Sequence, residues 1–430
     1  MKSFLLLITS LLAATLMGQA GKRDSLFEKG MEYFNQSKFK ESIREWNQLL
    51  QLQADDTKAL LYRAHAEAEL GKFADALTDY NAVIRIGGPT ADLLYYRGTC
   101  LSELGKHAEA LQDFEDVFKL NPRDTDTYYA KAEVLFFKQE YTLALAACEQ
   151  VYELNPAYPF LFQLRANIKS ELGLYKEAVT DYDRAIEQHP EETELYYLRG
   201  LAKFELEEFQ KAIDDFSAAI KHKDKEPDYY FDRAKAYCAM GNTTEGLKDF
   251  DKALELNDSL SYVYLERAYV WVDLKKSKKA LEDLNKAVKL DSAFTEAYFL
   301  RANIRFESKR YKEAIKDYTM CVKIQPNYSD AIYETGNCKL ELKKFNEAIQ
   351  EFTKAIAIDS TRSDYYYGRG LARHKMRKYQ EAVLDFTMAI KLNPNESDYY
   401  IGRGNSYLAL GEKKEYEADY RKGKDVSKQK

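Results

Sequence analysis

Proline is scarce in this chain of 430 residues, which contains only 8. Because proline interrupts helix interiors, its scarcity favours a largely helical protein. Tryptophan is rarer still, at 2, whereas tyrosine reaches 34. The aromatic content is therefore carried mainly by tyrosine, an excess that a folding pattern has to explain.

A strong charge of either sign is missing too, since the net charge is −6 and the isoelectric point is near 5.7. This balance argues against a dedicated nucleic-acid binder. The five histidines are scattered without the spacing of metal ligands, and no phosphate-binding glycine loop is present. We therefore predict no catalytic residues, no metal site and no cofactor, and we do not expect an enzyme.

Only one long hydrophobic run is present, from Phe4 to Met17. Lys2 precedes this run and the small residues Gly18 and Ala20 follow it, a pattern that predicts a cleaved signal peptide over residues 1–20. The run is short for a membrane anchor, and no second stretch of membrane length follows. We expect an exported protein, periplasmic or secreted, without stable membrane insertion after cleavage. The alternative is a buried first helix.

Cysteine is limited to five residues at irregular spacing, an odd number that cannot pair completely. Reduced thiols packed within helices are the simpler expectation, although an exported protein is able to form disulfides. Cys321 and Cys338 are the one pair worth testing for a bridge.

A small residue recurs at intervals of 34 along the whole chain. It closes similar motifs, such as Tyr196-Tyr197-Leu198-Arg199-Gly200 and Tyr298-Phe299-Leu300-Arg301-Ala302. Numbering each repeat so that this residue is position 8 gives twelve repeats over residues 23–430, without insertion or deletion. The repeats start at residues 23, 57, 91, 125, 159, 193, 227, 261, 295, 329, 363 and 397. A fixed period of this length indicates a single solenoid.

Each repeat has the pattern of two helices. Positions 4, 8 and 11 share one helical face, and positions 17, 20, 24 and 27 share another. Small residues at positions 8 and 20 allow close helix approach beside aromatic residues at positions 17 and 24. All prolines fall at positions 32, 33 or 1, between the repeats. Serine or threonine at position 1 predicts a helix N-cap, and glycine at position 15 predicts the turn between the helices.

This pattern resembles the tetratricopeptide repeat family, in which tryptophan, leucine-glycine, tyrosine, alanine, phenylalanine and proline occur at similar spacings. Tyrosine often replaces the first tryptophan here, and arginine replaces leucine at position 7. The resemblance implies an all-α fold, a right-handed superhelical solenoid of antiparallel helix pairs. It also implies a concave face formed mainly by the first helix of each repeat.

Charges at positions 7 and 23 vary together. Nine repeats combine arginine at position 7 with aspartate at position 23, and the three that lack this arginine also lack this aspartate. Such matching within a repeat indicates a structural ion pair between its two helices, and a functional basic stripe is the alternative. The examples that we single out are Arg97 with Asp113, Arg199 with Asp215, and Arg301 with Asp317.

Acidic residues also occupy position 2 in most repeats, including Asp126, Asp228 and Asp364. Acids in a first helical turn complement the helix dipole, which is the favoured interpretation. A cation-binding edge is the alternative.

Position 5 is predominantly aromatic, and the resemblance directs it toward the concave face. The residues that we predict to bind a partner there are Tyr95, Tyr129, Tyr197, Phe231, Phe299, Tyr333 and Tyr367. Aromatic rings give large contact areas at low entropic cost, and position 9 beside them varies widely, as a recognition surface would. The alternative is packing against the neighbouring repeat.

These observations predict a non-catalytic interaction scaffold of the cell envelope or secreted space, which binds a protein or peptide segment along its concave face. The alternative is a helper in envelope polysaccharide assembly or export, with a glycan-binding groove. The sequence does not identify the partner, the pathway or the oligomeric state.

Overall fold

A computed structural model of the protein describes residues 21–428. Within this range the regular structure is entirely α-helical, and helices alternate with short turns. The predicted signal peptide, residues 1–20, lies outside the described residues. The chain divides into two compact halves, one ending at His222 and the other beginning at Lys223.

Helices of 11 to 16 residues follow one another in pairs through both halves. In the first half they are α1 over residues 21–35, α2 Phe39–Leu52, α3 Thr57–Glu69, α4 Phe73–Gly87, α5 Ala91–Glu103, α6 His107–Leu120, α7 Thr125–Phe137, α8 Tyr141–Leu154, α9 Leu161–Glu171, α10 Tyr175–Gln188, α11 Thr193–Glu205 and α12 Phe209–His222. In the second half they are α13 Pro227–Ala239, α14 Thr243–Leu256, α15 Ser261–Asp273, α16 Ser277–Leu290, α17 Thr295–Glu307, α18 Tyr311–Ile324, α19 Ser329–Glu341, α20 Phe345–Ile358, α21 Ser363–Lys375, α22 Tyr379–Leu392, α23 Ser397–Leu410 and α24 Lys413–Lys428. We call the odd-numbered helices A helices and the even-numbered ones B helices. This arrangement confirms the predicted all-α fold of tandem helix pairs.

In A helices α3, α5 and α7 the residue whose side chain caps the helix is at position 34, one residue before the predicted cap. Asp56 accepts a hydrogen bond from the backbone N–H of Ala59 at 3.0 Å, and Asp124 accepts one from Thr127 at 3.0 Å. Thr57, at position 1, is already the first helical residue. The prediction of an N-cap at position 1 is therefore wrong. In these three helices the extended backbone and the capping side-chain oxygen occur together one residue earlier.

Position 15 adopts a left-handed backbone in all twelve A-to-B turns, and only five of these residues are glycine. In the second repeat Gly71 has φ of 72°, its N–H donates to Ala68, and the N–H of Lys72 donates to Glu67, both at 2.8 Å. These bonds form a Schellman motif, which satisfies carbonyls at the helix end. Where position 15 carries a side chain, as at Lys309 with φ of 59°, the same turn forms at a steric cost.

The core of most helix pairs is built around an aromatic ring at position 24, which Cys148 and Leu284 replace in the fourth and eighth repeats. Phe216 is fully buried, and a Cβ added to Gly200 would lie 2.7 Å from its ring. Phe352 lies between two glycines, because a Cβ on Gly336 or Gly368 would approach its ring to 2.7 or 2.8 Å. The small residues therefore bring the helix backbones against the flat aromatic ring.

All five cysteines are free thiols in the structure, including Cys321 and Cys338. Burial raises the pKa of Cys148, Cys321 and Cys338 to about 12. Since the thiolate is the reactive form, these buried thiols are chemically inert at neutral pH.

Candidate functional site

The three arginine–aspartate pairs singled out from the sequence are in bidentate contact. Arg199 donates from Nε to Oδ2 of Asp215 at 2.9 Å and from Nη2 to Oδ1 at 2.6 Å. The other two, Arg97 with Asp113 and Arg301 with Asp317, have the same geometry at distances between 2.5 and 2.9 Å. Their aspartates are buried, so each guanidinium joins an A helix to the B helix of its own repeat with two charge-assisted hydrogen bonds.

These arginines also reach back to the preceding repeat, which the sequence reasoning missed. Arg63 donates from Nη1 to Oδ1 of Asn47 at 2.6 Å, and Arg267 donates to Asp251 at 2.5 Å. The acceptors are at position 25, 16 residues before the arginine. The set described in this way is Asn47, Asn81, Glu149, Asp183, Asp251, Asn285, Thr353 and Thr387. The ion pairs therefore form a ladder that also ties successive repeats together.

Position 11 adds a second cation to several of the buried acids. Lys169 donates to Asp181 at 2.7 Å, and Lys203 donates to Asp215 at 2.8 Å. The fourth repeat has no aspartate at position 23, and its position-7 residue is Lys131. This lysine donates to Glu115 of the preceding repeat at 2.5 Å. These contacts support the interpretation of the charges as structural.

The acids at position 2 accept hydrogen bonds from tyrosines at the start of the next repeat. Tyr262 donates to Asp228 at 2.5 Å, and Tyr365 donates to Asp330 at 2.9 Å. Tyr158, the last residue of the fourth repeat, donates to Asp126 within its own repeat. Part of the tyrosine excess is thus explained by bonds between repeats, which the resemblance alone did not indicate.

The seven aromatic residues predicted to bind a partner are all half-buried. Five of them contact the core ring of their own repeat, with centroids between 5.6 and 6.0 Å apart: Tyr197, Phe231, Phe299, Tyr333 and Tyr367. Tyr129 instead packs on Tyr158 at 5.0 Å and Tyr95 on Tyr96 at 5.3 Å. Position 5 therefore packs within and between repeats and leaves part of each ring accessible.

The most exposed aromatic rings are found elsewhere on the A helices. Among the described residues, the rings that are more than a third exposed are Tyr96, Phe137, Phe160, Tyr269 and Tyr420. The first four belong to an A helix or immediately precede one. Phe137, at position 13 of its repeat, is 71% exposed. We use the name A-helix face for the surface formed by positions 5, 6, 9, 12 and 13 of the A helices.

Two cavities open at equivalent places on the A-helix face. One, of about 380 Å³, lies between α3 and α5 and includes His65, Tyr95 and Tyr96 in its lining. The other, of about 260 Å³, lies between α9 and α11 and includes Leu198 and Leu201. Both are also bordered by two glutamates at position 13 of consecutive A helices. Each cavity is large enough to accept a side chain of a bound segment.

The carboxylates at position 13 escaped the sequence reasoning, although their period was visible. They are Glu69, Glu103, Glu171, Glu205, Asp273, Glu307 and Glu341. Each of these seven acids is the last residue of its A helix, so together they place a row of negative charges on the A-helix face.

The described residues contain no group of three or more histidine, cysteine, aspartate or glutamate side chains that is arranged to hold a metal ion. In the same part of the chain, no helix has both the length and the apolar character required to cross a membrane.

Comparison with known protein families gives matches along most of the chain. Models described as tetratricopeptide repeat match residues 27–92, 97–159 and 164–228, residues 227–259, and residues 295–328 and 363–396. A model described as TPR repeat matches residues 336–376. No curated protein matches the sequence.

Solved structures of similar proteins include a tetratricopeptide repeat protein from Parabacteroides merdae ATCC 43184, with 18% identity, a TM-score of 0.44, and coverage of 58% of this chain and 99% of that one. Yeast Tom70 has 16% identity and a TM-score of 0.39, with 95% of this chain and 92% of that chain covered. YrrB, described as a TPR protein with an unusual peptide-binding site, has 21% identity and a TM-score of 0.37, with 41% and 91% covered.

Proposed function

The chain belongs to the tetratricopeptide repeat family, and from this membership we propose that it is a non-catalytic scaffold that holds an extended protein segment against its A-helix face. Repeat proteins of this kind present long surfaces on which one element of each repeat is free to contact a partner. In this chain the B-helix rings at position 24 are mostly buried in the core, which leaves the A helices to supply aromatic contacts.

The observation that carries the proposal is the placement of exposed aromatic rings. Tyr96, Phe137, Phe160 and Tyr269 are between 40% and 71% exposed, and all belong to or precede A helices. Large aromatic residues dominate the energy of protein interfaces when they insert into a partner. Cavities between neighbouring A helices add places for the partner's own side chains.

A polysaccharide would require open ring faces on which sugars stack. The seven rings at position 5 are half-buried against other rings and do not offer such faces, which favours a protein segment as the ligand. The exposed ring of Phe137 is the place where a sugar would stack. A glycan partner is retained as an outcome of the experiment below.

We also propose that the protein acts outside the cytoplasm. The support is the sequence of residues 1–20, which lies outside the described residues. Cleavage after Ala20 gives a mature chain that begins Gly21-Lys22, and N-terminal sequencing of the native protein tests this. A retained Met1 would refute export through a cleaved signal peptide.

The scaffold is tested by photo-crosslinking in intact cells. A photoreactive phenylalanine analogue replaces Phe137 on the A-helix face, and a control replaces Leu384 on B helix α22. The two positions have similar exposure, at 71% and 67%. Crosslinked products are identified by mass spectrometry of peptides and of attached glycans.

We expect one defined protein to be crosslinked through position 137 and not through position 384. Equal labelling at both positions would show nonspecific contact, and labelling only at position 384 would move the working surface to the B helices. If a glycan is the sole adduct at position 137, the ligand of the scaffold is a polysaccharide and not a protein.

A further inference from the structure

The cavity between α3 and α5 has an aromatic lining. His65 on α3 and Tyr95 and Tyr96 on α5 form its walls, and Phe73 and Tyr80 of the intervening helix α4 form its floor. Its volume is about 380 Å³, and it opens on the A-helix face. An aromatic cavity of this kind differs from the general hydrophobic groove of a helical repeat, because its rings also carry polar groups.

These rings hold one another in place. The hydroxyl of Tyr80, which is almost fully buried, is 2.8 Å from Nδ1 of His65. The His65 ring packs edge-on against Tyr96, with centroids 4.4 Å apart and an interplanar angle of 75°. Tyr96 in turn contacts Tyr95 at 5.3 Å. The cavity walls are therefore ordered before any ligand arrives, which reduces the entropic cost of binding.

The electrostatic character of the cavity is negative. Glu69 and Glu103 lie at its border, and among the described residues neither forms an ion pair. Burial, followed by the charge of Glu103, raises the pKa of the neighbouring Cys100 to about 11. Burial lowers the pKa of His65, so this wall carries no positive charge at neutral pH.

The negative region extends to the next A helix. Burial, and then the charge of Glu103, raises the pKa of Glu133 on α7. The cavity therefore combines π faces with nearby carboxylates that lack a cation of their own, and both attract positive charge.

From this combination we propose that the cavity binds a cationic side chain, the guanidinium of arginine or the ammonium of lysine, of the segment that the scaffold holds. The inference rests on the proposed function, since it names the residue type that the partner places at the second and third repeats. Tyr96, which is 40% exposed, offers its ring to the cation, and Glu69 and Glu103 neutralise it.

The equivalent cavity between α9 and α11 supplies an internal control. It retains glutamates at its border, Glu171 and Glu205, but Leu198 and Leu201 replace the Tyr96 ring and Thr99. This cavity keeps the rings of Phe136, Tyr175 and Tyr182 in its lining but has Asn167 in place of His65. It therefore presents the same carboxylates without the His65 and Tyr96 rings of the A-helix walls.

The test uses the full chain and two probes, acetyl-arginine amide and acetyl-citrulline amide, whose capped backbones carry no charge. Their side chains differ in charge and little in shape. Binding is measured by titration calorimetry and by saturation-transfer NMR at low salt. We expect the arginine probe to bind with a millimolar dissociation constant and the citrulline probe at least about tenfold more weakly. In the double variant Glu69→Gln/Glu103→Gln, arginine binding falls by about tenfold.

The control variant Glu171→Gln/Glu205→Gln is expected to bind the arginine probe like the unmodified protein. Equal binding of arginine and citrulline, the same loss in both double variants, or no binding to the folded protein at a probe concentration of about 20 mM would overturn the cation site. If a double variant does not fold, as judged by circular dichroism, the cation site is judged only by comparing arginine with citrulline on the unmodified chain. Failure of the Phe137 crosslink together with arginine-specific binding would reject the scaffold and retain the cation site.

Discussion

Glu67 carries a charge of the wrong sign for its place in the ion-pair ladder. At the same position of other repeats, Lys169 and Lys203 donate to the buried aspartate of position 23. Here the corresponding aspartate is Asp79, and Oε2 of Glu67 is buried without a hydrogen-bond partner. Burial, and after it the charge of Asp79, raises the pKa of Glu67 to about 7. We predict that Glu67→Gln stabilises the second repeat in a pH-dependent way.

The sign follows from proton binding in the two states. A glutamate in an unfolded chain has a pKa of about 4.3, so the folded state holds this proton more tightly. Glu67 therefore has no unfavourable effect below a pH of about 4, weakens the fold progressively between about pH 4 and 7, and weakens it by a constant amount above. The shift corresponds to at most about 4 kcal/mol, which solvent screening of this partly exposed group reduces to about 1–2 kcal/mol.

Hydrogen exchange of the amides in α3 and α4, measured by mass spectrometry, reads the stability of this repeat locally. Comparing variant and unmodified protein at one pH cancels the intrinsic exchange rate. At pH 8 we expect Glu67→Gln to slow exchange by about 5- to 30-fold, and at a pH of about 4.5 we expect little difference. Glu67→Lys is expected to slow it further at pH 8, because the ammonium contacts Asp79.

The control is Glu69→Gln, two residues further along the same helix, where the side chain is exposed. It is expected to leave exchange in α3 and α4 unchanged at both pH values. A Glu67→Gln effect that is equal at the two pH values, or that Glu69→Gln reproduces, would refute the argument from a buried, unpaired charge.

Three further predictions concern the turns, the ladder and the aromatic positions, and each is measured by urea unfolding. Lys309→Gly should raise the free energy of unfolding by about 0.5–1 kcal/mol, because it relieves a left-handed backbone; a decrease would contradict this. Arg97→Met should lower the free energy of unfolding by about 3–5 kcal/mol, and Arg199→Met should lower it clearly less, because Asp215 keeps its contact with Lys203 whereas Asp113 loses its partner. Equal losses in the two variants would contradict the ladder. Phe216→Ala should cost about 3–5 kcal/mol and Tyr197→Ala about 1–2 kcal/mol, and only Tyr197→Ala should weaken partner crosslinking; the reverse order would make position 5 core.

The helix pairs were accessible from sequence because their packing depends on size and period alone. A small residue at position 8 faces an aromatic residue at position 24 in most repeats, as Gly200 and Phe216 do. Arginine and aspartate 16 residues apart occur together or are absent together. This correlation alone predicted that they form an ion pair within a repeat. These features follow from contacts inside one repeat, and twelve copies make them visible.

Features that depend on contacts between repeats, or on backbone geometry, were less accessible. The second partner of Arg63, at Asn47, lies 16 residues upstream, and its position varies among asparagine, aspartate, glutamate and threonine. The left-handed turn residue is glycine in only five repeats, so side chains such as that of Lys309 conceal a conformation that the Schellman bonds impose. Position 5 remained ambiguous because one ring can pack and stay partly exposed, as Tyr197 does.

The residues of the ion-pair ladder and the residues of the A-helix face lie on opposite sides of the A helix. Successive residues turn by about 100°, which places positions 5, 9 and 13 together and positions 7 and 11 roughly opposite. Arg199 and Lys203 therefore face the B helix and the buried Asp215, while the A-helix face carries Tyr197 and the carboxylate of Glu205. Substitutions on the A-helix face change charge and shape without touching the ladder. In the proposed scaffold, this arrangement lets each repeat vary its contacts with a partner while the ion pairs that hold neighbouring repeats stay the same.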